Sequence, residues 1–273
     1  MPDRRFRFGV VAAPRGGGED WLSTARRVAE LGYSTLLMPD VPQLLAPFPS
    51  LAMAAAVADL RVGTFVLAGP LRPPRSAAWE AHSLSVLTGG RFELGIGTGR
   101  PDVRPFTEEL GLPYGSAVER LAQVAETIEH LRVLDGDGHT PVLIAAGGPR
   151  ARALAAAHAD IITLAADPLA TRDEVARMAA EVRDLAGPRV DAIELAMNLF
   201  VVGDQLAPGT ERFFPVDAAT LIERDSLTML RGTTQEMADE LQRRREILGV
   251  SYISVNGAFL EQMAPVVEML AGR

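Results

Sequence analysis

Short, continuously apolar segments alternate with longer segments along most of the chain. The short segments predict strands, and because their apolar residues are consecutive, they predict strands buried on both faces, as in a parallel sheet. The longer segments predict helices, as in residues 21–31, where Trp21, Ala25 and Val28 recur at helical spacing. The predicted strands cover residues 6–13, 34–38, 61–67, 91–97, 142–145, 160–165, 193–202 and 252–255.

Eight strands that alternate with helices predict an α/β fold. Eight such units close most economically into a (β/α)8 TIM barrel, a fold of about 250 residues. We therefore expect one domain over residues 1–273. The alternative is an open, doubly wound sheet, but the first strand-to-helix turn lacks the Gly-x-Gly-x-x-Gly pattern of dinucleotide-binding domains.

Residues 204–230 form an unusually long connection between the seventh strand and its helix, and carry Phe213, Phe214 and Pro215. Connections in α/β units commonly have about 2–6 residues. Because the segment leaves the carboxyl end of a strand, where TIM barrels build their active sites, it predicts a lid or a pocket wall. The alternative is a disordered surface loop.

Composition and charge exclude several classes of function. The formal net charge is −8 and no basic cluster is visible, which argues against nucleic-acid binding. The chain has no cysteine, so disulfides and thiolate chemistry are excluded. The sequence starts on a strand without an apolar signal segment, and its most alanine-rich run, residues 51–60, is too short to span a bilayer. We expect a cytoplasmic protein with no membrane partner.

Residues 141–150 (PVLIAAGGPR) predict a strand that turns through paired glycines into a helix. Free backbone N–H groups and the helix dipole at such a turn attract an anion, typically a phosphate. Glycine leaves room for the anion and also permits a positive φ. Pro149 suits the first helical position, where its missing N–H costs nothing. Taken alone, the segment fits two interpretations about equally well: a phosphate site, or a tight turn whose glycines serve packing alone.

The carboxyl ends of the predicted strands carry few polar groups. They comprise Asp40, residues 65–69, 97–100, 145–150, 165–167 and 202–204, and Asn256. The histidines, His82, His130, His139 and His158, fall in predicted helices or before the fifth strand, and do not form a cluster with metal-ligand spacing. These features argue against hydrolytic or metal chemistry. An apolar mouth with one anion site suits a flat organic cofactor with a phosphate arm.

Four stretches carry a resemblance to a known family: residues 61–67 (RVGTFVL), 89–99 (GGRFELGIGTG), 109–113 (ELGLP) and 142–148 (VLIAAGG). Over nearly its full length, the chain resembles the bacterial luciferase-like flavin and deazaflavin oxidoreductases. The Ala-Ala-Gly-Gly-Pro turn is most similar to that of members that use coenzyme F420, an 8-hydroxy-5-deazaflavin. The resemblance implies F420 as cofactor, with FMN as the alternative, a small-molecule substrate and a homodimer.

The resemblance also implies where the cofactor lies. Its phosphate is expected on the helix after Gly148, and its ring or side chain beside Gly97, Thr98 and Gly99. A non-proline cis peptide is expected at Phe65–Val66, against the ring face; the alternative for this pair is ordinary barrel core. The cofactor-binding candidates are Phe65, Val66, Ala68, Gly97, Thr98, Gly99, Ala145, Ala146, Gly147, Gly148, Pro149 and Arg150.

Two positions depart from the family pattern. Asp40 is followed by Val41, where members often have a histidine that acts as acid or base, and Arg100 stands where sugar-phosphate dehydrogenases have an acidic residue. Oxidation of a sugar hydroxyl needs a base, so this activity is not expected. Asp40 and Arg100 are the catalytic candidates: Asp40 for a polar role near the ring, and Arg100 for holding an anionic group. The alternative for Asp40 is a loop or helix-capping role, and the alternative for Arg100 is a solvated surface charge.

The sequence therefore predicts an F420-dependent oxidoreductase that transfers hydride between the deazaflavin and a small organic substrate. Reduction of an activated C=C or C=N bond fits best, because it needs positioning of the acceptor more than a strong base. Two alternatives remain: an FMN-dependent luciferase-like monooxygenase, and a barrel that binds a cofactor or a partner subunit without turnover.

Overall fold

A computed structural model describes residues 4–208, 214 and 216–273. Its strands are β1 (Arg7–Val11), β2 (Thr35–Met38), β3 (Arg61–Thr64), β4 (Leu67–Ala68), β5 (Phe92–Gly97), β6 (Val142–Ala146), β7 (Ile161–Leu164), β8 (Glu194–Leu199), β9 (Val201–Val202), β10 (Met229–Leu230) and β11 (Val250–Asn256). Its helices are α1 (Gly18–Glu30), α2 (Pro47–Val57), α3 (Pro74–Leu87), α4 (Arg104–Glu109), α5 (Ala117–Asp135), α6 (Pro149–His158), α7 (Arg172–Ala186), α8 (Ala218–Glu223), α9 (Thr234–Leu248) and α10 (Leu260–Leu270).

The parallel strands close into a single barrel. The order around it is β3, β2, β1, β11, β8, β7, β6 and β5, and β3 pairs with β5 to complete the ring. β4 continues the β3 position and also pairs with β5. Within the described ranges the barrel thus has eight strand positions, which confirms the predicted (β/α)8 TIM barrel and excludes the open sheet.

Side chains fill the barrel interior in layers. Leu37, Leu143, Ile161, Ala196 and Tyr252 form an apolar cluster inside the ring, and a larger cluster lies between the strands and the surrounding helices. Because alternate residues of a strand face opposite sides, continuous apolar strands are needed to supply both clusters.

An ionic network closes the amino end of the barrel. The Arg7 guanidinium donates to Glu93 Oε1 at 2.6 Å and to Glu194 Oε2 at 2.8 Å, and Arg61 Nε donates to Glu93 Oε1 at 2.7 Å. Arg7 also lies 3.6 Å from the ring centroid of Tyr252. The network links β1, β3, β5 and β8, so the polar groups at this end stabilise the closed ring and leave the other end for ligands.

A threonine side chain caps the start of α9. Thr233 caps α9 and accepts from the Glu236 N–H, and the Glu236 side chain accepts from the Thr233 N–H in return. The sequence did not predict α4 and α8, which have six residues each and interrupt loops. Within the described ranges, none of the helices is both long enough and apolar enough to cross a bilayer.

The described part of the segment 204–230 packs on the barrel. β10 pairs with β9, and Leu221, Leu227 and Met229 are buried. Arg244 of α9 donates to the Leu227 carbonyl at 2.7 Å and to the Met229 carbonyl at 2.9 Å. Phe213 and Pro215, which the sequence places in this segment, lie outside the described residues.

Candidate cofactor and substrate site

A cavity of about 610 Å³ opens at the carboxyl ends of the barrel strands. Its volume lies within the range of about 300–1,000 Å³ that is typical of ligand sites. Nine of the predicted site residues line it: Asp40, Phe65, Val66, Ala68, Gly97, Thr98, Gly99, Arg100 and Ala145. Ala207, Pro208 and Phe214, from the segment 204–230, also line it and so form part of its wall. Closure of this segment as a lid stays a prediction.

A second cavity, of about 770 Å³, is lined by α8, α9 and residues that follow β9 and β10. Its charged side chains pair with one another: Arg172 binds Asp225 and Glu240, and Arg243 binds Glu240 at 2.5 Å. Because these charges already neutralise each other, this larger cavity is a less suitable ligand site than the apolar one.

The β3–β5 wall of the apolar cavity contains a cis peptide bond between Phe65 and Val66, which confirms the prediction. The strand breaks there, since β3 ends at Thr64 and β4 begins at Leu67. Glycines on β5 make room for the break: a Cβ on Gly95 would collide with the Thr64 carbonyl oxygen, and one on Gly97 would lie 2.9 Å from Val66 Cγ2. Gly97 thus serves the packing of this wall as well as lining the cavity.

Asp40 holds the neighbouring loop in place. Its Oδ2 accepts from Arg72 at 2.6 Å and from the Ala68 N–H at 2.9 Å, and its Oδ1 accepts from Arg72 at 3.1 Å. Burial raises the pKa of Glu80, and Arg72, 3.6 Å away, offsets part of that rise. Since both oxygens of Asp40 are engaged by the protein, this geometry favours a positioning role over proton transfer.

The predicted anion site lies at the start of α6. Gly148 is the N-cap and Pro149 is the first helical residue, as predicted, and α6 has neither a side-chain cap nor an acidic residue in its first turn. A Cβ on Gly147 would lie 3.0 Å from the Ala165 carbonyl oxygen, whereas one on Gly148 would meet nothing within 4 Å. Neither glycine uses the positive φ that glycine permits, because Gly148 has φ −87° and Gly147 is also outside the positive region.

Most residues of this turn lie beside the cavity instead of in its wall. Ala145 lines the cavity, but Ala146, Gly147, Gly148, Pro149 and Arg150 do not. The Ala146 side chain is buried in the core between strands and helices, so only its backbone could contact a ligand. Gly148, Pro149 and Arg150 are exposed.

The arginines near the cavity differ in how tightly the protein holds them. The Arg100 side chain is 68% exposed at the rim, with Nε 3.5 Å from Asp102 Oδ1, and Arg15 is an exposed residue of the same rim. Arg152, in contrast, donates to the Gly147 carbonyl and pairs with Glu181 at 2.7 Å. Arg152 therefore fixes the turn, and the rim arginines are the cations more accessible to a ligand.

Sequence reasoning placed Asn256 at the carboxyl end of a strand but missed Asn198 and Phe200, which share the β8–β11 wall with it. Asn198, Phe200 and Asn256 line the cavity there, and the Phe200 ring stacks on Phe214 with centroids 4.6 Å apart. The sequence predicted one strand through residue 202, which placed Asn198 within a strand. In the structure β8 ends at Leu199, and β9 pairs with β10 outside the barrel. The signal was the polar Asn198 inside an otherwise apolar run.

The histidines that have polar partners make local contacts outside the cavity. His82 lies 2.9 Å from Asp135, His139 lies 2.9 Å from Asp160, and His130 lies 3.5 Å from Glu126. No group of three or more His, Asp or Glu side chains within the described ranges could hold a metal ion. Burial alone would raise the pKa of Asp135, but hydrogen bonds from His82 and Thr140 outweigh it and hold that pKa below its usual value.

A sequence profile of luciferase-like monooxygenases matches residues 6–207. The chain belongs to this family. Uncharacterized proteins from Mycobacterium tuberculosis and Mycobacterium bovis are each 34% identical to it over 87 residues. Those matches cover 31% of this luciferase-like chain and 28% of the length of each relative.

Solved structures share the fold of this luciferase-like chain. The coenzyme F420-dependent tetrahydromethanopterin reductase from Methanopyrus kandleri superposes with a TM-score of 0.74 at 14% identity, over 98% of this chain and 99% of that one. An F420-dependent secondary alcohol dehydrogenase superposes with a TM-score of 0.73 at 16% identity, over 96% of this chain and 99% of that one. EDTA monooxygenase from Chelativorans sp. BNC1 superposes with a TM-score of 0.74 at 14% identity, over 97% of this chain and 94% of that one. At these identities the likeness establishes the fold alone.

Proposed function

We propose that the chain is a coenzyme F420-dependent oxidoreductase that reduces an activated C=C or C=N bond of a small organic substrate. The observation that carries the proposal is the pairing of a broad apolar cavity with an uncapped helix start beside it. Family membership supports a flavin-type or deazaflavin-type oxidoreductase.

The residues present fit a flat ring with a phosphate arm. The wall at Phe65, Val66 and Gly97 offers an apolar surface for a ring, and the open space above Gly148 allows an anion to approach the first turn of α6. Arg15 and Arg100 supply positive charge at the rim for an acidic tail. When bound, a reduced deazaflavin would supply hydride to the substrate.

The protein's own contribution is binding and orientation. Val41 occupies the position of the family's acid–base histidine, and Asp40 is engaged by Arg72 and the Ala68 amide. The other carboxylate of the described lining, Asp102, lies at the rim beside Arg100. Water is the proton source that fits this wall, and reduction is favoured over oxidation of a hydroxyl.

The second candidate is an FMN-dependent monooxygenase, because the family profile is that of luciferase-like monooxygenases. The two candidates differ in reactivity, since a reduced deazaflavin reacts poorly with oxygen and a reduced flavin activates it.

The test is a fluorescence titration of the purified protein with F420 and with FMN, followed by turnover assays. We expect F420 to bind more tightly, and reduced F420 to be oxidised by an unsaturated acceptor without oxygen uptake. Oxygen consumption with reduced FMN would favour the monooxygenase. Binding of F420 without oxidation by any acceptor would favour a non-catalytic barrel, and affinity for neither cofactor would contradict both catalytic candidates.

A further inference from the structure

The chain contains two asparagines, and both line the same wall of the apolar cavity. Asn198 lies on β8 and Asn256 ends β11, the neighbouring strand. Ser254 pairs with Asn198 in the parallel register, so Asn256 lies two residues further towards the cavity mouth. With about 3.3 Å per residue along a strand and about 4.8 Å between strands, the two Cα atoms lie roughly 8 Å apart.

Hydrogen bonds to the protein orient both amides. The Ser254 hydroxyl donates to Asn198 Oδ1 at 2.8 Å, and the Ala258 N–H donates to Asn256 Oδ1 at 2.9 Å. Each amide oxygen thereby accepts one hydrogen bond, and within the described part of the chain neither NH2 group has a hydrogen-bond partner. Two NH2 groups on one apolar wall are therefore available to donate to a ligand.

This wall faces the proposed cofactor wall across the barrel. In the ring of eight strand positions, β8 is opposite β3 and β11 is opposite β5. A flat ring that lies against Phe65, Val66 and Gly97 leaves its other face towards Asn198 and Asn256. The two amides are consequently placed to contact a substrate more readily than the cofactor.

Resting on the proposed function, we propose that Asn198 and Asn256 donate N–H hydrogen bonds to the carbonyl oxygen of an α,β-unsaturated carbonyl substrate. A carbonyl oxygen has two lone pairs and can accept from both amides, whereas a neutral imine nitrogen has one lone pair and an iminium nitrogen has none. The stacked Phe200 and Phe214 rings, with Ala207, give the substrate body an apolar surface. The geometry thus selects an activated C=C bond over C=N.

The donors would act where charge develops. As a hydride with its electron pair forms a new C–H bond at the β-carbon, the C=C π electrons shift and the carbonyl π electrons move onto oxygen, giving an enolate. The Asn198 and Asn256 N–H groups stabilise that oxygen, since donors aimed at a developing anion favour the transition state. A proton from water then forms the second C–H bond at the α-carbon and restores the C=O bond. The two-electron oxidation of the deazaflavin balances the reduction.

The test compares two ligands of the same carbon skeleton: benzylideneacetone, an enone, and 1-phenyl-1-butene, which has CH2 in place of the carbonyl. The variant Asn198→Asp/Asn256→Asp keeps both Oδ1 acceptors for Ser254 and Ala258 but removes the N–H donors. The charge control is Gln205→Glu/Gln242→Glu, which adds the same two charges at exposed positions. Binding is measured by calorimetry with and without oxidised F420, and the carbonyl stretch of bound enone by difference infrared spectroscopy.

We expect the wild type and the charge control to bind the enone more tightly than the alkene and to lower its carbonyl stretching frequency. The double asparagine variant should lose about 10- to 100-fold in enone affinity, with alkene affinity, F420 affinity and melting temperature unchanged. An unchanged enone affinity, or an unshifted carbonyl stretch in the wild type, would overturn the proposal.

The outcomes separate this inference from the proposed function. Loss of F420 affinity in the double variant that persists at high salt, where repulsion between the new carboxylates and the anionic cofactor is screened, would mean that the amides bind a carbonyl of the cofactor, which also overturns the proposal. If the wild type binds neither F420 nor FMN, the proposed function fails; enone affinity that still depends on the two amides would then support their role as carbonyl donors.

Discussion

Two adjacent glycines at the start of α6 have different functions. A side chain on Gly147 would press on the Ala165 carbonyl oxygen, so this glycine serves backbone packing. Gly148 has an ordinary φ and open space around it, so nothing in the folded chain requires a glycine there. Its absent side chain leaves the first turn of α6 accessible to a ligand. The sequence predicted this turn but not the different roles of its two glycines, because those roles depend on the position of Ala165, which follows the neighbouring strand β7.

Asp40 illustrates how a polar residue near a site can act through its neighbours. We expect Asp40→Asn to lower the free energy of unfolding by about 1–3 kcal/mol, because Arg72 loses its ionic partner in a largely buried pair. Urea denaturation measures this change.

If Asp40 positions the wall without moving a proton, the pH profile of kcat in Asp40→Asn will match that of the wild type. Loss of one limb of that profile would instead identify Asp40 as an acid or base. Glu108→Gln, at an exposed position paired with Arg104, serves as the control for a change of surface charge.

The sequence predicts where helices and strands start better than where they end. Apolar periodicity located α1, and continuous apolar runs located all barrel strands, because those signals lie within the element itself. The end of β8 was placed three residues too late, since the pairing of β9 with β10 comes from distant residues. That error concealed Asn198 and Phe200, whose place in the site depends on where the strand leaves the barrel.

The junction of α3, α5 and β6 depends on Asp135. This carboxylate accepts from the Thr140 N–H at 2.8 Å and lies 2.9 Å from His82 Nδ1. Burial opposes its charge, but the His82 and Thr140 hydrogen bonds hold its pKa below the usual value. The stabilisation is therefore present above the ordinary aspartate pKa, about 3.9, and is lost as the pH falls through the lower folded-state pKa.

We expect Asp135→Asn to be less stable than the wild type by about 1–3 kcal/mol at pH 7, with the difference shrinking below about pH 4. Thermal unfolding from pH 3 to pH 8 measures it. A difference that stays constant over this range would show that the charge of Asp135 does not contribute.

In the molecule as a whole, the ion pairs that stabilise the barrel and the residues that line the cavity lie at opposite ends of the barrel. The amino end is closed by buried ion pairs between Arg7, Glu93 and Glu194, and the carboxyl end is an apolar cavity. Continuous apolar strands predicted the closed ring, but the pairing of these charges could not be predicted, because it requires the barrel register. The homodimer that the resemblance implies stays a prediction.

Replacing Arg7 by Leu should destabilise the protein by about 3–5 kcal/mol, because two buried carboxylates lose a partner. Arg104→Leu removes an exposed pair with Glu108 and should cost about 0–1 kcal/mol. Chemical denaturation of both variants makes the comparison. Equal stability losses would mean that the amino-end network does not close the barrel.

The F420 affinity of Gly148→Phe, measured by fluorescence titration against the wild type, tests whether the start of α6 holds the phosphate of the cofactor. Gly17→Phe is the matched control, because Gly17 is also an exposed N-cap with φ −72° and open space around it. We expect Gly148→Phe to lose about 10- to 100-fold in affinity with an unchanged melting temperature, while Gly17→Phe binds like the wild type. Wild-type affinity in Gly148→Phe would contradict the claim that a phosphorylated cofactor is held at this helix start.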